Sequence, residues 1–341
     1  MTTAALLFGY AVTIAWWAPA LLGRLTAGGI SARLGLAAWL TAMASALAAA
    51  AIALQFLARA AVAGWSHLAE VVCRSVSGHA CTATGYQGAA VEFTLGVVAI
   101  VAGLAALVLA WRYGRNVQRA QRQTRAHADV ARITGHRLPG NDDAVVLDAT
   151  QPVAYCLPGR PATIVVSSGA LAVLDQGQLA AVLAHERAHL AGRHHMLIAV
   201  TRGLAAVFPA VPLFARGAEH VTRLAEMCAD DAAARRSGRG TLATALLTMA
   251  TGAAVPAHAL GASACAVTAR LQRLVDDPGP AARIRYGMTL ATVTVVLALT
   301  PALVTGFAVR YHGSASLRLD CALAVHQAGS DFSAANIHAN H

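Results

Sequence analysis

The chain of 341 residues is 57% hydrophobic and only 12% charged, and its mean hydropathy is +0.55. Soluble domains have about 25% charged residues, so this composition argues against an ordinary soluble protein and indicates an integral membrane protein. The formal net charge of +10 would suggest nucleic-acid binding in a soluble protein. Arginines that fix membrane topology explain the charge as well, so we expect no direct nucleic-acid binding.

Four apolar stretches are each long enough to cross the hydrocarbon core of a lipid bilayer, which takes about 20 residues. They cover residues 4–22, 36–57, 93–111 and 288–309. The first stretch contains Ala18, Pro19 and Ala20, an A-x-A pattern of the kind that signal peptidases cut, but no charged residue precedes Arg24. Because a signal peptide begins with basic residues, we expect this stretch to be a retained span.

The placement of arginines predicts the orientation of these spans. Arg24 and Arg33 lie in the connection after the first span, and a run of arginines follows the third span. Because basic residues accumulate on the cytoplasmic side, the N-terminus, a loop at about 60–92 and a tail at 311–341 should face outward. The chain is then divided into three spans within residues 1–111, a cytosolic domain at 112–285, a fourth span within 286–310 and the tail.

Cysteine positions agree with this orientation, since disulfides persist outside the cytosol but not within it. Cys73 and Cys81 both lie in the predicted outward loop, close enough in sequence to form a disulfide. Two unlinked thiols are the alternative. Cys156, Cys228 and Cys265 fall on the predicted cytosolic side and are expected to be free thiols.

The sequence pattern changes after the arginine-rich stretch, where short β-like runs appear. These runs cover residues 144–147, 153–157 and 162–168, and they follow a turn cluster at 138–142. Their β-branched residues and the turn residues that bound them predict a small sheet. Such a sheet could bind an extended peptide by strand addition, or it could be a purely structural hairpin.

The most informative stretch reads LAHERAHLAGRHH and contains His185, Glu186 and His189 in the spacing H-E-x-x-H. On a helix, residues 185 and 189 lie on one face, so two imidazole nitrogens can converge on one metal ion with the Glu186 carboxylate beside it. Zinc-assisted hydrolysis needs this arrangement, because the carboxylate can take the proton of the attacking water. Asp175 and Gln178 predict a capping box at the start of the helix.

A third metal ligand is expected, because a catalytic zinc ion usually has three protein ligands. The preferred candidate is Glu226, on a polar helix predicted at about 216–236. Asp230 lies one turn further along that helix and could hold a ligand imidazole in place. Between the two helices, the apolar segment 196–214 is predicted to be a kinked or partly membrane-embedded helix.

A rival pattern overlaps the same stretch. With Gly192 and His195 included, it reads H-E-x-x-H-x-x-G-x-x-H, in which the third histidine binds the metal. That pattern does not explain the second polar helix, so His195 is the alternative metal ligand. In the preferred interpretation, His194 and His195 lie at the membrane interface or support the ligands. A buried helix with two stacked histidines and no metal is a further alternative.

Five segments of the chain are characteristic of one group of proteins. They read PATIVVSSGAL, LAAVLAHERAHLAGRHH, FPAVPLFAR, LAEMCADDA and TARLQRLV. Together with the four spans, they resemble the BlaR/MecR-type family of membrane-bound zinc metallopeptidases and, more distantly, HtpX-type proteases. The resemblance implies that His185, His189 and Glu226 bind one zinc ion per chain. It also implies that Glu186 is the general base and that Asp230 supports the site.

The sequence departs from this family at its end. The antibiotic receptors of the family continue into a penicillin-binding domain, whereas this sequence ends about 30 residues after the last span. We therefore expect no direct β-lactam sensing. The expected fold is a mainly α membrane protein with about four transmembrane helices and a small cytosolic α+β zincin-like metallopeptidase domain.

The expected function is a zinc-dependent endopeptidase at the cytosolic face of the cell membrane. It would act in regulatory signalling on a peptide or protein, such as a cytosolic transcriptional repressor, or on itself. The alternatives are an HtpX-like quality-control protease and a zinc-binding membrane receptor or scaffold that cuts no peptide. Metal transport is a third alternative, and the sequence argues against it because the four predicted spans contain no His, Asp or Glu. His220 and Arg270 are candidates for stabilising the oxyanion.

Overall fold

The part of the chain that the structure describes is mainly helical and has a small sheet near its middle. The computed structural model describes residues 2–76, 83–159, 161–252, 260–276 and 279–338. The described helices are α1 (Thr2–Thr26), α2 (Ala32–Val76), α3 (Ala83–Thr134), α4 (Ser168–Val173), α5 (Gln176–Ala191), α6 (His194–Val207), α7 (Pro212–Ser237), α8 (Arg239–Gly252), α9 (Leu260–Val275) and α10 (Pro280–His338). The described strands are β1 (His136–Leu138), β2 (Asn141–Leu147), β3 (Ala154–Leu157) and β4 (Thr163–Ser167).

Four of the described helices contain a part that is long and apolar enough to cross a membrane. These parts are Thr2–Thr26, Ala32–Ala61, Gly96–Thr134 and Pro280–Arg310. They overlap the four predicted spans, but the third begins at Gly96 and continues to Thr134, well past the predicted end at 111. Large apolar side chains such as Trp17, Leu104 and Phe307 are exposed on them, as is expected for surfaces that face lipid. The fold is therefore consistent with a membrane protein.

The segments outside these candidate spans are more helical than the sequence predicts. Residues 60–92 were expected to form a loop, but α2 extends to Val76 and α3 begins at Ala83. Residues 311–341 were expected to form a tail, but α10 extends to His338. These segments contain no proline that would end a helix. Cys81 and the side chain of Cys73 lie outside the described residues, so the disulfide between them stays a prediction.

The sheet has the strand order β1-β2-β4-β3, in which β2 and β4 are parallel and the other two pairs are antiparallel. Strands β2, β3 and β4 lie where the β-like runs predict them. The sequence pattern does not predict β1. This strand forms because a turn at Gly140, which has a φ of +76°, folds the chain back onto β2. At the other side of the sheet, the edge strand β3 packs beside α5.

Helix α5 begins at the predicted capping box. The Asp175 carboxylate accepts a hydrogen bond from the Gln178 N–H at 2.8 Å, and the Gln178 side chain accepts one from the Asp175 N–H at 3.1 Å. The prediction for the start of this helix is therefore confirmed. Val182 and Leu183 of α5 pack against Ile164 of β4. The cap and the sheet together fix where α5 starts and which face it turns to the sheet.

The segment predicted as one kinked helix over 196–214 is instead parts of two helices. Helix α6 ends at Val207, and Phe208 leaves the helical region with a φ of −122° and a ψ of 59°. Phe208 precedes Pro209, and a residue before proline avoids the helical conformation. Helix α7 then begins at Pro212, whose fixed φ suits a first turn. Of the helices that the structure describes, α6 is not among those long and apolar enough to cross a membrane.

Helix α7 connects the sheet side of the molecule with the candidate spans. Its first half packs against α1 and α2, where Leu213 and Leu224 are buried together with Leu22 and Trp39. Its second half packs against α5 through small side chains such as Ala233. The two helices that were predicted to bear the metal ligands are therefore neighbours, and one of them also rests on the candidate spans.

Candidate metal centre

Helix α5 presents three chemically active side chains on its buried side. His185, Glu186 and His189 are only 7%, 9% and 9% exposed. The helical repeat places the two histidines one turn apart on the same face. Their Nε2 atoms approach each other to 3.1 Å.

Helix α7 places a carboxylate opposite these histidines. Glu226 Oε2 lies 3.5 Å from His185 Nε2, and Glu226 Oε1 lies 3.4 Å from His189 Nε2. The ligand atoms of the three residues all lie within 4.8 Å of one another. The fold thus brings the three predicted ligands together from two different helices.

The spacing of these atoms fits a small tetrahedral ion. Zinc-binding nitrogens and oxygens lie about 2.0–2.2 Å from the ion, so two ligand atoms of a tetrahedral site are roughly 3.3–3.6 Å apart. The separations of 3.1, 3.4 and 3.5 Å fall within or close to this range. Two histidine nitrogens and a carboxylate oxygen are also ligands that zinc accepts. These three residues could therefore hold a zinc ion.

The second ring nitrogen of each histidine meets a buried partner. His185 Nδ1 lies 3.1 Å from Asp230 Oδ1, and His189 Nδ1 lies 3.0 Å from His194 Nδ1. A histidine that binds a metal through Nε2 has its proton on Nδ1. His194 lies where it can accept that proton from His189. Asp230 lies at ion-pair distance from His185 Nδ1, which has no hydrogen-bond partner within the described residues. Burial lowers the pKa of His194 to about 4, and His189 adds to the effect, so His194 is neutral and can accept.

Arg270 of α9 contacts two of the acidic residues of α7, Asp230 and Glu226. Its guanidinium donates to the two carboxylate oxygens of Asp230 at 2.8 and 2.6 Å, and its Nη1 lies 3.2 Å from Glu226 Oε2. The sequence suggests Arg270 and His220 as oxyanion partners. The structure places Arg270 against the carboxylates, where it also lines the cavity of the site. His220 lies elsewhere and stacks on Trp39, with ring centroids 4.6 Å apart.

These buried charges shift the pKa values of the two glutamates in opposite directions. Burial raises the pKa of Glu226, but hydrogen bonds from His185 and His189 outweigh it and hold the pKa well below its usual range. Burial raises the pKa of Glu186 above its usual range, and the histidines offset this only in part. Glu226 is therefore ionised, as a ligand should be, whereas Glu186 accepts a proton more readily than an ordinary glutamate.

A cavity of about 400 Å³ lies in front of these residues. One wall is formed by strand β3, through Ala154, Tyr155 and Cys156. Apolar side chains also line the cavity, and they are Val182, Ile198, Leu242, Leu246 and Met249. Cys156 is a free thiol, as predicted. Burial, followed by the charge of Glu186, raises the pKa of this thiol to about 12, so it is neutral.

His195 lines the same cavity but lies outside the group of three ligands. Between α5 and α6, Arg193 adopts a left-handed conformation with a φ of 49°. The chain turns there, and His194 comes to lie against His189. Within the described part of the chain, the buried Nδ1 of His195 has no hydrogen-bond partner. This geometry favours Glu226 over His195 as the third ligand.

Comparison with known proteins agrees with this geometry. The profile described as Peptidase family M48 matches residues 114–292, which is more than half of the chain. The matched range contains the sheet, the helices α5 and α7 and the group of His185, His189 and Glu226. Comparison with curated proteins gives no match. The chain therefore belongs to peptidase family M48, whose members are metal-dependent peptidases that usually use zinc.

Proposed function

We propose that the protein is a zinc-dependent endopeptidase that hydrolyses peptide bonds at the cytosolic face of a membrane. The observation that carries this proposal is the convergence of His185, His189 and Glu226 in one cavity with Glu186. Two imidazoles, a ligand carboxylate and a separate carboxylate for proton transfer are the groups that metal-assisted hydrolysis of a peptide bond requires.

His185, His189 and Glu226 would hold the zinc ion. When bound, the ion polarises the scissile carbonyl and lowers the pKa of the attacking water. Asp230 and His194 contact the Nδ1 atoms of the two histidines and so keep both Nε2 atoms directed at the same point.

Glu186 is the proton carrier in this proposal. Its carboxylate takes a proton from the water that attacks the carbonyl carbon, and it later gives that proton to the leaving amine nitrogen. The C–O bond forms when the water adds, and the C–N bond breaks afterwards, as the nitrogen receives the proton from Glu186. Burial raises the pKa of Glu186. A group accepts and returns protons most efficiently when its pKa is near the working pH, so a raised pKa suits this carboxylate to the role.

We propose that the substrate binds as an extended strand along β3. This strand lies at the edge of the sheet, and its residues line the cavity. An edge strand offers backbone hydrogen-bonding groups to an added peptide. The apolar side chains of Leu242, Leu246 and Met249 in the same cavity favour a substrate with an apolar side chain near the scissile bond.

The cytosolic location is supported by the distribution of arginines around the candidate spans. A role in regulatory signalling, by cleavage of a transcriptional repressor or of the enzyme itself, is supported by the resemblance to BlaR/MecR-type proteins. Quality control of membrane proteins is the second candidate. It is favoured by the packing of α7 against α1 and α2, which keeps the cavity close to the candidate spans.

The substitution Glu186→Gln tests the proposed activity. Cleavage should fall by about 10²–10⁴-fold because the proton carrier is lost. Zinc should stay bound, because Glu186 is not one of the three ligands, and metal analysis of the purified full chain measures this. Comparison of the cellular peptides made with the wild type and with the variant identifies the substrates. Repressor fragments would support signalling, and fragments of membrane proteins would support quality control.

The matched control is Glu219→Gln, which removes an exposed carboxylate of α7. This variant should cleave at the wild-type rate. A Glu186→Gln variant that cleaves as fast as the wild type would refute the assignment of the proton carrier. A wild-type protein that binds zinc and produces no cleavage product would instead favour a receptor or scaffold.

A further inference from the structure

A second large cavity lies where the candidate spans meet the rest of the molecule. It has a volume of about 740 Å³ and is bounded by the loop between α1 and α2, by α7 and α9, and by the start of α10. Three candidate spans have an end here, at Thr26, Ala32 and Pro280. With these helices as membrane spans, their ends mark the edge of the hydrocarbon core, which would put the cavity at the level of the bilayer surface.

Basic side chains outnumber acidic ones in the lining of this cavity. It is lined by two aspartates and by five arginines, which are Arg223, Arg235, Arg239, Arg273 and Arg283. The lining thus has a surplus of three positive charges. A concave surface with an excess of one sign of charge concentrates ions of the opposite sign, so the cavity favours an anion.

Two of the arginines build the wall of the cavity. Arg223 donates to the carbonyl oxygens of Thr26 and Ala27 at 3.0 and 3.1 Å. Arg273 donates to the carbonyl oxygen of Gly29 at 3.0 Å. Gly29 has a φ of +61°, and a Cβ there would lie 2.9 Å from Arg273 Nε, so only glycine lets the loop approach this closely. These contacts fix the shape of the cavity before any ligand arrives.

The other three arginines are exposed. Arg235 lies in the last turn of α7, Arg239 at the start of α8 and Arg283 in the first turn of α10. Guanidinium groups bind phosphate oxygens through paired, charge-assisted hydrogen bonds. Ile30 and Leu274 add apolar surface to the same lining. The cavity therefore combines phosphate-binding groups with a surface for an apolar part of the ligand.

We propose that this cavity binds the phosphate group of an anionic phospholipid headgroup. Basic pockets between membrane helices suit such headgroups because lipid phosphates lie at the same depth. The site is distinct from the metal centre. Asp231 and Arg273 line the lipid cavity, whereas their neighbours Asp230 and Arg270 belong to the metal centre. The assignment does not depend on the peptidase activity.

The test compares two double variants of the full chain in nanodiscs of phosphatidylcholine that contain some phosphatidylglycerol. The first is Arg235→Gln with Arg283→Gln, which removes two charges from the cavity. The second is Arg236→Gln with Arg285→Gln, which removes two exposed charges from the same helices but from outside the lining. Native mass spectrometry measures the ratio of phosphatidylglycerol to phosphatidylcholine that stays bound to each protein.

The wild type and the second variant should retain phosphatidylglycerol selectively, whereas the apparent affinity of the first variant should fall roughly thirtyfold. Equal enrichment in all three proteins would overturn the proposal. Excess inorganic phosphate should not displace the lipid, and complete displacement would show that the ligand is free phosphate. If the first variant does not fold, the wild type is measured at increasing salt concentration. The enrichment of phosphatidylglycerol should fall because salt screens the arginines, and an enrichment that salt does not change would overturn the proposal.

Discussion

The turn between α5 and α6 decides which side chain completes the group of metal ligands. Because Arg193 is left-handed, His194 lies against His189, and His195 stays outside the group. We predict that Glu226→Gln lowers the zinc affinity by more than about 100-fold, since loss of a ligand costs more than loss of an outer partner. His195→Gln should leave the zinc affinity unchanged. Titration of the metal-stripped full chain against a fluorescent chelator measures both, and a larger loss in the His195 variant would establish the rival three-histidine site.

Arg270 and Arg273 provide a matched pair for testing how the ligands are positioned. Arg270 binds both carboxylate oxygens of Asp230, and Arg273 binds both of Asp231. Of these two aspartates, Asp230 is the one within 3.1 Å of His185. We predict that Arg270→Lys lowers the zinc affinity about 10–100-fold, because lysine cannot form the paired contact. Arg273→Lys should lower the melting temperature but not the zinc affinity. If the Arg270→Lys and Arg273→Lys variants bind zinc equally well, Arg270 acts only on folding.

At the scale of single residues, the sequence predicts the side chains that share one helix better than those that meet across helices. The spacing within α5 and within α7 points to His185, His189, Glu226 and Asp230 because helical geometry fixes neighbours one turn apart. The contact of Arg270 with Asp230 joins α9 to α7, and no local spacing encodes it. Which of His194 and His195 lies against His189 likewise depends on the left-handed backbone conformation of Arg193. No glycine in the sequence signals that conformation.

At the scale of elements, Arg187 joins α5 to β2. Its guanidinium donates to both Asp143 carboxylate oxygens at 2.7 Å and to the Asn141 side chain at 2.9 Å. The hydrogen bond with Arg187 lowers the pKa of Asp143 despite partial burial. A carboxyl group whose pKa is lowered by folding stabilises the protein above its unfolded pKa of about 3.9, and that contribution is lost as the pH falls further.

We therefore predict that Asp143→Asn lowers the free energy of unfolding by up to about 1 kcal/mol at neutral pH, as is usual for a partly exposed ion pair. The difference from the wild type should shrink as the pH falls below about 4, where the carboxyl of the unfolded wild type takes up a proton, and it should vanish below the lowered pKa of the folded carboxyl. Unfolding by urea at several pH values measures this. The control is Asp142→Asn at the exposed neighbouring position. A difference that does not change with pH would contradict the assigned role of the charge.

The elements that the sequence predicts well have local signals at their ends. Helix α5 has the capping box of Asp175 and Gln178, and α7 ends at Ser237, next to its predicted end at about 236, with Gly238 as its C-cap. Strand β1 has only three residues and exists because it pairs with β2, so no local pattern reveals it. The sequence does not predict the break between α6 and α7, because the residues on both sides of Pro209 are apolar and look like a single membrane-associated helix.

At the scale of the whole molecule, the proposed orientation places the catalytic part in the cytosol. With the native cysteines replaced by serine, Asp142→Cys should resist a membrane-impermeant thiol reagent in intact cells and react after permeabilisation. Ser77→Cys, in the connection predicted to face outward, should react in intact cells. These expectations follow from the crowding of arginines on one side of the candidate spans. The opposite labelling pattern would reverse the orientation.

The attachment of α7 has a consequence for how the enzyme can be handled. His185 and His189 belong to a helix supported by the sheet, whereas Glu226 belongs to a helix whose first half rests on α1 and α2. A water-soluble fragment of residues 112–285 would expose the apolar face around Leu213 and Leu224, and its third ligand would lose its support. Harsh detergents that separate α1 from α7 should therefore inactivate the protein reversibly, and reconstitution into lipid should restore the activity without any chemical repair of the site.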